Sequence, residues 1–68
     1  MKIYAKNTFF TVMANKFITT EDLVNGIKMS KPAIHNIIKR KTGTTIKTAK
    51  KICNFLSVEF SEIFEIVE

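Results

Sequence analysis

The strongest constraint on this chain is a pair of short helical patterns joined by a tight turn, within residues 18–41. In the first pattern, Thr19 is a candidate N-cap, and Asp22 three positions later completes a variant of the capping box. Apolar residues then recur at helical spacing, at Leu23, Val24 and Ile27. The pattern predicts a short helix with one apolar face.

A second helical pattern follows Met29, which we expect to lie buried in the turn. Ser30 is its candidate N-cap, and Pro32 falls in the first turn, where its missing N–H costs nothing. The inward stripe consists of Ile34, Ile37 and Ile38. The outer face carries basic, amide and small side chains, at Lys31, Ala33, His35, Asn36, Lys39 and Arg40. Such side chains suit DNA phosphates and base edges in a major groove.

Charge is distributed unevenly along the chain. The formal net charge is +5, with a sequence pI of about 9.6. Residues 23–58 contain eight Lys or Arg and no acidic residue, whereas residues 59–68 contain four Glu and no basic residue. A basic centre with an acidic end is typical of a protein that binds a polyanion and turns one surface away from it. The simpler alternative is that the lysines only keep the helices soluble.

The composition limits the classes of protein. With 68 residues, 46% of them hydrophobic, we expect a single small domain over residues 1–68. The one cysteine, Cys53, cannot form an internal disulfide and is expected to be a buried thiol, and no Cys or His cluster suggests a metal. No secretory or membrane-spanning segment is visible, so the expected location is the cytoplasm of a bacterial or phage-infected cell.

No residue pattern indicates catalysis. His35 is the only histidine, and no nucleophile or carboxylate lies near it at helical spacing. The glutamates at positions 59, 62 and 65 are expected to form a solvated helical ridge and are not paired for acid–base chemistry. We therefore expect no enzymatic activity, no cofactor, no membrane and no small-molecule substrate.

The two ends of the chain, residues 1–6 and 64–68, alternate apolar and polar side chains. Each end predicts a short strand, and whether the two strands pair is left open because two strands alone are marginally stable. Asn7 and Thr8 are candidate N-caps of a first helix. Its inward residues are predicted to be Phe9, Phe10, Val12, Met13 and Phe17.

Two further helices are expected after a loop at residues 40–45. The first spans Ile46–Leu56 and is predicted to bury Ile46, Ala49, Ile52, Cys53 and Leu56. The second begins near Phe60 and ends at Phe64 or Ile66. Its apolar residues exceed what a short helix can bury, which predicts a contact with another subunit or partner through Phe60, Ile63, Phe64 and Ile66. The alternative is that they close the monomer core, with Phe64 against residues 1–6.

Residues 8–64 as a whole resemble the helix-turn-helix domains of the lambda-repressor-like family, which includes Cro and the small phage repressors. The resemblance rests on Thr19, Glu21–Asp22, Leu23, Val24, Ile27, Lys28–Met29–Ser30, Ile34 and Ile37, and it continues without a gap through Thr44–Phe64. It implies a compact all-α domain of five short helices, with the helix-turn-helix at about residues 19–40.

One position departs from the family pattern. The family usually has glycine in the turn, because the chain there needs a left-handed residue, and this sequence has Lys28. A left-handed lysine carries strain of about 1 kcal/mol or more. Gly26 offers an alternative, in which the helix ends earlier and the turn adjusts.

The resemblance also implies roles for individual residues. The base-facing positions of the recognition helix are held by Lys31, Pro32, Ala33, His35 and Asn36. Thr20 is placed to bond a phosphate at the start of the preceding helix. The DNA backbone on the other side is expected to contact Lys39, Arg40, Lys41, Thr42, Thr44 and Lys47.

Together these features predict a sequence-specific transcriptional regulator that binds double-stranded DNA, as a homodimer, in the manner of a Cro-like or phage-type repressor. The alternative is a protein-binding regulator, such as an antirepressor or antitoxin. It would bind a partner repressor or toxin through the helix-turn-helix or through the apolar and acidic C-terminal surface.

Overall fold

Two short strands, one from each end of the chain, pair antiparallel and close a bundle of five helices. The computed structural model describes residues 2–68, and Met1, which was part of the first predicted strand, lies outside them. The elements are β1 (Lys2–Ala5), α1 (Thr8–Asn15), α2 (Thr20–Ile27), α3 (Lys31–Ile38), α4 (Ile46–Leu56), α5 (Phe60–Ile63) and β2 (Phe64–Val67). The prediction of five helices is confirmed, and the pairing of the ends is resolved in favour of a sheet.

Two helices begin with the side-chain caps predicted at Thr19 and Ser30, and a third begins with a threonine cap of the same kind. In α2, the Asp22 N–H donates to Thr19 Oγ1 over 3.1 Å, and the Thr19 N–H donates to the Asp22 carboxylate over 2.9 Å. In α3, the Ala33 N–H donates to Ser30 Oγ over 3.3 Å. In α4, Thr45 Oγ1 accepts from the Thr48 N–H. A cap of this kind contributes about 1 kcal/mol and fixes where each helix starts.

Left-handed residues stand just beyond the ends of four helices, and none of them is glycine. They are Phe17, Lys28, Arg40 and Ser57, with φ between 58° and 61°. The predicted left-handed conformation of Lys28 is therefore confirmed. The alternative of an earlier helix end at Gly26 is wrong, because α2 continues to Ile27. Gly26 instead leaves room for Phe55, since a Cβ there would lie 2.2 Å from Phe55 Cε1.

The core lies between the helices and the inner face of the sheet. It is built from Ile3, Ala5, Phe9, Met13, Leu23, Ile27, Ile34, Ile37, Ala49, Ile52, Cys53, Leu56, Ile63 and Phe64. Phe64 packs edge-on against Phe9, with ring centroids 5.5 Å apart, and is stacked with Phe60 at 5.6 Å. No helix within residues 2–68 is long and apolar enough to cross a membrane.

Three residues predicted to face inward are exposed. Phe10 is 62% exposed, Phe17 92% and Ile46 61%. Phe17 lies beyond the end of α1, where helical spacing no longer determines direction. Phe10 neighbours the buried Phe9 and points away from the covered face of α1, and Ile46 is the first residue of α4, at the edge of the core.

The last helix is shorter than predicted, and the acidic ridge does not form. α5 is a single turn that ends at Ile63, and the alternating residues after it continue as β2. Glu59 and Glu62 cap this turn, with the Glu59 N–H donating to Glu62 Oε2 over 2.7 Å. Glu65 lies on the strand and pairs with Arg40. In the strand conformation β2 pairs with β1 and places Phe64 in the core, whereas a longer α5 would leave β1 without a partner strand.

Replacing Lys28 by glycine tests the strain at the turn. We expect Lys28→Gly to raise the free energy of unfolding by about 0.5–1 kcal/mol, since glycine adopts positive φ without a Cβ clash and offsets this only partly with its larger unfolded-state entropy. Thermal and urea denaturation measure the change. Lys39→Gly is the matched control, because Lys39 has φ of −85° and should lose stability. Equal effects of the two variants would contradict strain at Lys28.

Candidate nucleic-acid interface

The second helix of the pair, α3, lies on the surface with its outer face open. Ile34 and Ile37 anchor it in the core, beside Leu23 and Ile27 of α2. Because Ile34 and Ile37 occupy the inner face of α3, the residues on the opposite face of this helix point outward. Lys31, Pro32 and His35 are exposed, and Ala33 and Asn36 are half-buried. The capped start at Ser30 and the left-handed Lys28 set the angle at which α3 leaves α2.

Four of the five predicted base-facing residues line two adjoining shallow grooves, and Ala33 lines neither. One groove is lined by Lys31, Pro32, His35 and Asn36. The other is lined by Thr19, Thr20, Glu21, Lys31 and His35. The start of α2, where a phosphate contact was predicted at Thr20, therefore lies next to the exposed face of α3. The two helices form one continuous surface.

An acidic residue that the sequence analysis did not assign to the site lies on this surface. Glu21 Oε1 is 3.6 Å from Lys31 Nζ, and both side chains are largely exposed. The residue belongs to the first turn of α2, where a negative charge also interacts favourably with the helix dipole. Sequence alone gave no signal for the contact, because it depends on the angle between α2 and α3. Glu21 thus places a negative charge beside Lys31, one of the predicted base-facing residues.

The loop after α3 and the first turn of α4 present most of the predicted backbone-contacting residues. Lys39, Lys41, Thr42 and Lys47 are exposed, and Thr44 is half-buried. The Asn36 carbonyl accepts from the Lys41 N–H over 2.9 Å and from the Thr42 N–H over 3.4 Å. The Thr44 N–H donates to the Ile3 carbonyl over 2.8 Å, which attaches the loop to β1. The loop is thus fixed at both ends while its side chains face outward.

Arg40 differs from its neighbours in this loop. Its guanidinium donates to the Ala5 carbonyl over 2.8 Å, pairs with the Glu65 carboxylate, and lies 5.6 Å from the centroid of the Tyr4 ring. The family resemblance implies that Arg40 contacts the DNA backbone. In the structure its side chain lies against the terminal sheet and is 39% exposed.

Part of the predicted C-terminal interface is wrong. Ile63 is 0% exposed and Phe64 1% exposed, so both belong to the monomer core and neither is accessible to another subunit. Phe60 is half-buried and packs against the same core. The alternative, in which this segment closes the core beside the N-terminal strand, is confirmed by the pairing of Phe64 with Ala5. Of the four residues, Ile66 remains well exposed, with Val67 beside it.

Cys53 is a buried structural thiol, as predicted. It is 8% exposed on the inner face of α4. Burial raises the pKa of the thiol, and the carboxylates of Glu59 and Glu62 raise it further. A raised pKa keeps the sulfur protonated and unreactive at neutral pH, which fits a packing role.

The fold and this surface define a helix-turn-helix DNA-binding domain. The family model for Cro/C1-type helix-turn-helix DNA-binding domains matches residues 11–68, and the chain belongs to that family. A crystal structure from Bacteroides fragilis, described as that of a candidate DNA-binding protein, is similar with a TM-score of 0.78 and 17% sequence identity. The similarity covers 93% of this chain and 98% of the other. No curated protein sequence matches this chain significantly.

Removing the charge of Glu21 tests whether this surface meets DNA. We expect Glu21→Gln to tighten binding to duplex DNA by roughly two- to fivefold at low salt. Lys31 loses a carboxylate that competes with the DNA for it, and a negative charge that repels the DNA phosphates is removed from the surface. Fluorescence anisotropy at several salt concentrations measures it. Glu68→Gln makes the same change of charge at the acidic end of the chain. If both variants behaved alike, Glu21 would not lie in the interface.

Proposed function

We propose that this protein is a sequence-specific transcriptional regulator that represses by occupying its operator, in the manner of a Cro-like or phage-type repressor. The observation that carries the proposal is the exposed face of α3, on which Lys31, His35 and Asn36 stand beside Thr20 and the basic loop. The regulator acts by binding alone, without an enzymatic step. We place it in the cytoplasm of a bacterial or phage-infected cell.

Each base-facing side chain of α3 has a distinct proposed role. Lys31 donates to guanine O6 and N7, and Asn36 pairs bidentately with adenine. Ala33 offers a methyl group to a thymine methyl, and Pro32 presents an apolar edge. His35, exposed between Lys31 and Asn36, reaches either a base or a phosphate. The half-burial of Asn36 supports its role, because it restricts the rotamers of the side chain before DNA arrives.

Phosphate contacts flank the base-reading helix on two sides. Thr20 presents its hydroxyl and the free N–H groups at the start of α2, where the helix dipole favours an anion. On the other side, the loop and the start of α4 present Lys39, Lys41, Thr42, Thr44 and Lys47. Contacts of this kind fix the register of α3 on the duplex without reading its sequence.

We further propose that two copies bind the operator together, since a single helix-turn-helix reads few base pairs and dimers read two half-sites about 34–36 Å apart. The outer edge of β2 supports this assembly. Within residues 2–68, β2 pairs with β1 alone, so its other edge has backbone groups open to a second strand. Ile66 and Val67, 51% and 38% exposed, lie on that strand.

A protein-binding regulator is the second candidate, and one observation favours it. The exposed rings of Phe10 and Phe17 border a groove that is completed by Met13, Ala14, Ile18, Thr19 and Thr20 and contains no ionisable side chain. An apolar groove with exposed aromatics is typical of a protein contact. An antirepressor or antitoxin would use such a surface against a partner repressor or toxin, and it would bind free duplex DNA weakly.

DNA titrations at several salt concentrations test the phosphate contacts. If about 4–8 phosphates are neutralised per dimer, the slope of log affinity against log salt concentration should be about −4 to −7. A flat salt response would favour the protein-binding candidate.

DNA titrations of variants separate affinity from specificity. The operator is first selected from random duplexes. Lys31→Ala and Asn36→Ala should each lower operator affinity by about 1–3 kcal/mol and relax the preference at particular base pairs, whereas Lys47→Ala should weaken binding to all sequences alike.

A charged residue at the strand edge tests the dimer. Ile66→Glu should stay folded, because the side chain is already half exposed, and should sediment as a monomer and lose cooperative operator binding. Ile46→Glu is the matched control, since Ile46 is 61% exposed and lies at the start of α4. A wild-type protein that remained monomeric at high micromolar concentration would rule out this interface.

A further inference from the structure

The side chain of Arg40 joins the end of the DNA-facing helix to the terminal sheet. One guanidinium nitrogen, Nη1, donates both to the Ala5 carbonyl of β1 and to the Glu65 carboxylate of β2. The same group lies over the ring of Tyr4. Tyr4 and Glu65 are directly opposed in the sheet, so they share one of its faces. Arg40 therefore contacts both strands of the sheet at once.

The backbone of Arg40 is equally constrained. Its φ of 61° is left-handed, and this turns the chain out of α3 and into the loop. The next two N–H groups return to the Asn36 carbonyl, and the Thr44 N–H reaches Ile3 on β1. The loop is held to α3 at one end and to the sheet at the other, with the Arg40 side chain between these attachments.

We propose that Arg40 and Glu65 are positioning residues for DNA recognition, with Arg40 holding the loop in its binding conformation rather than contacting a phosphate. This inference rests on the proposed function. A loop that is already ordered loses less conformational freedom when its lysine and threonine residues contact a DNA backbone. Glu65 thereby increases DNA affinity, although it is an acidic residue on a protein that binds a polyanion.

The alternative is that Arg40 leaves Glu65 and binds a phosphate directly. The two side chains are 39% and 42% exposed, so exposure alone does not exclude that exchange. The two alternatives predict opposite changes in DNA affinity when the charge of Glu65 is removed. If Arg40 contacts a phosphate, Glu65 competes with the DNA, and neutralising Glu65 tightens binding. If Arg40 positions the loop, neutralising Glu65 weakens binding despite the more positive net charge.

The experiment compares Glu65→Gln and Arg40→Lys with Lys47→Gln. We expect the first two variants to lower affinity for duplex DNA by roughly three- to tenfold while the log–log salt slope stays at the wild-type value. The slope is unchanged because these variants weaken the hydrogen bonds of Arg40 to the sheet and remove no phosphate contact. Lys47→Gln, which removes a proposed phosphate contact, should reduce the magnitude of the slope by about 0.9 for each copy bound. The double variant Arg40→Lys, Glu65→Gln should be no weaker than either single variant.

Amide hydrogen exchange tests, without DNA, whether the contact of Arg40 with Glu65 holds the loop. In Glu65→Gln and Arg40→Lys, the Thr44 N–H should exchange faster than in the wild type, whereas the Leu23 and Ile34 amides in α2 and α3 should keep their rates. Unchanged exchange at Thr44, tighter DNA binding by Glu65→Gln, or wild-type affinity of Arg40→Lys would overturn the proposal. A wild-type protein that bound no DNA would refute the proposed function. The exchange rates would still show whether Arg40 and Glu65 hold the loop in place.

Discussion

The pairing of the two chain ends is the interaction on which the rest of the structure depends. The register sets Ala5 opposite Phe64, and this places the Phe64 ring in the core against Phe9. Fully burying one such ring contributes about 1.5–3 kcal/mol, a large part of the margin available to a domain of this size. The same strands present Tyr4 and Glu65 to Arg40 and offer the Ile3 carbonyl to the loop. The sheet therefore completes the core and also supports the surface that we propose to face DNA.

The parts of the fold that sequence predicted well are those determined by near neighbours. Thr19, Ser30 and Thr45 each cap a helix through a contact three residues away, and such contacts are visible in the sequence. The exposed face of α3 follows from its helical period in the same way. Hence the sequence predicts the five helices and the exposure of most residues that we propose to contact DNA.

The parts that sequence predicted poorly depend on contacts between distant residues. The apolar residues near the C-terminus fit helical spacing at Phe60, Ile63 and Phe64 but strand alternation at Phe64 and Ile66, and pairing with β1 decides between the two. The ion pair of Glu21 with Lys31 and that of Glu65 with Arg40 depend on angles between elements. The prediction that Phe17 faces inward is wrong for another reason, because it extends helical spacing two residues beyond Asn15, where α1 ends.

The paired ends also have a consequence for how this chain folds. The helix-turn-helix is built from neighbours, whereas the sheet joins Lys2 to Val67 and so requires closure of nearly the whole chain. Closing a loop of that length costs entropy before its contacts form, and pairings distant in sequence slow folding. α2 and α3 are therefore suited to early formation, and the sheet to late formation. The last step of folding is then also the step that fixes the loop after the recognition helix.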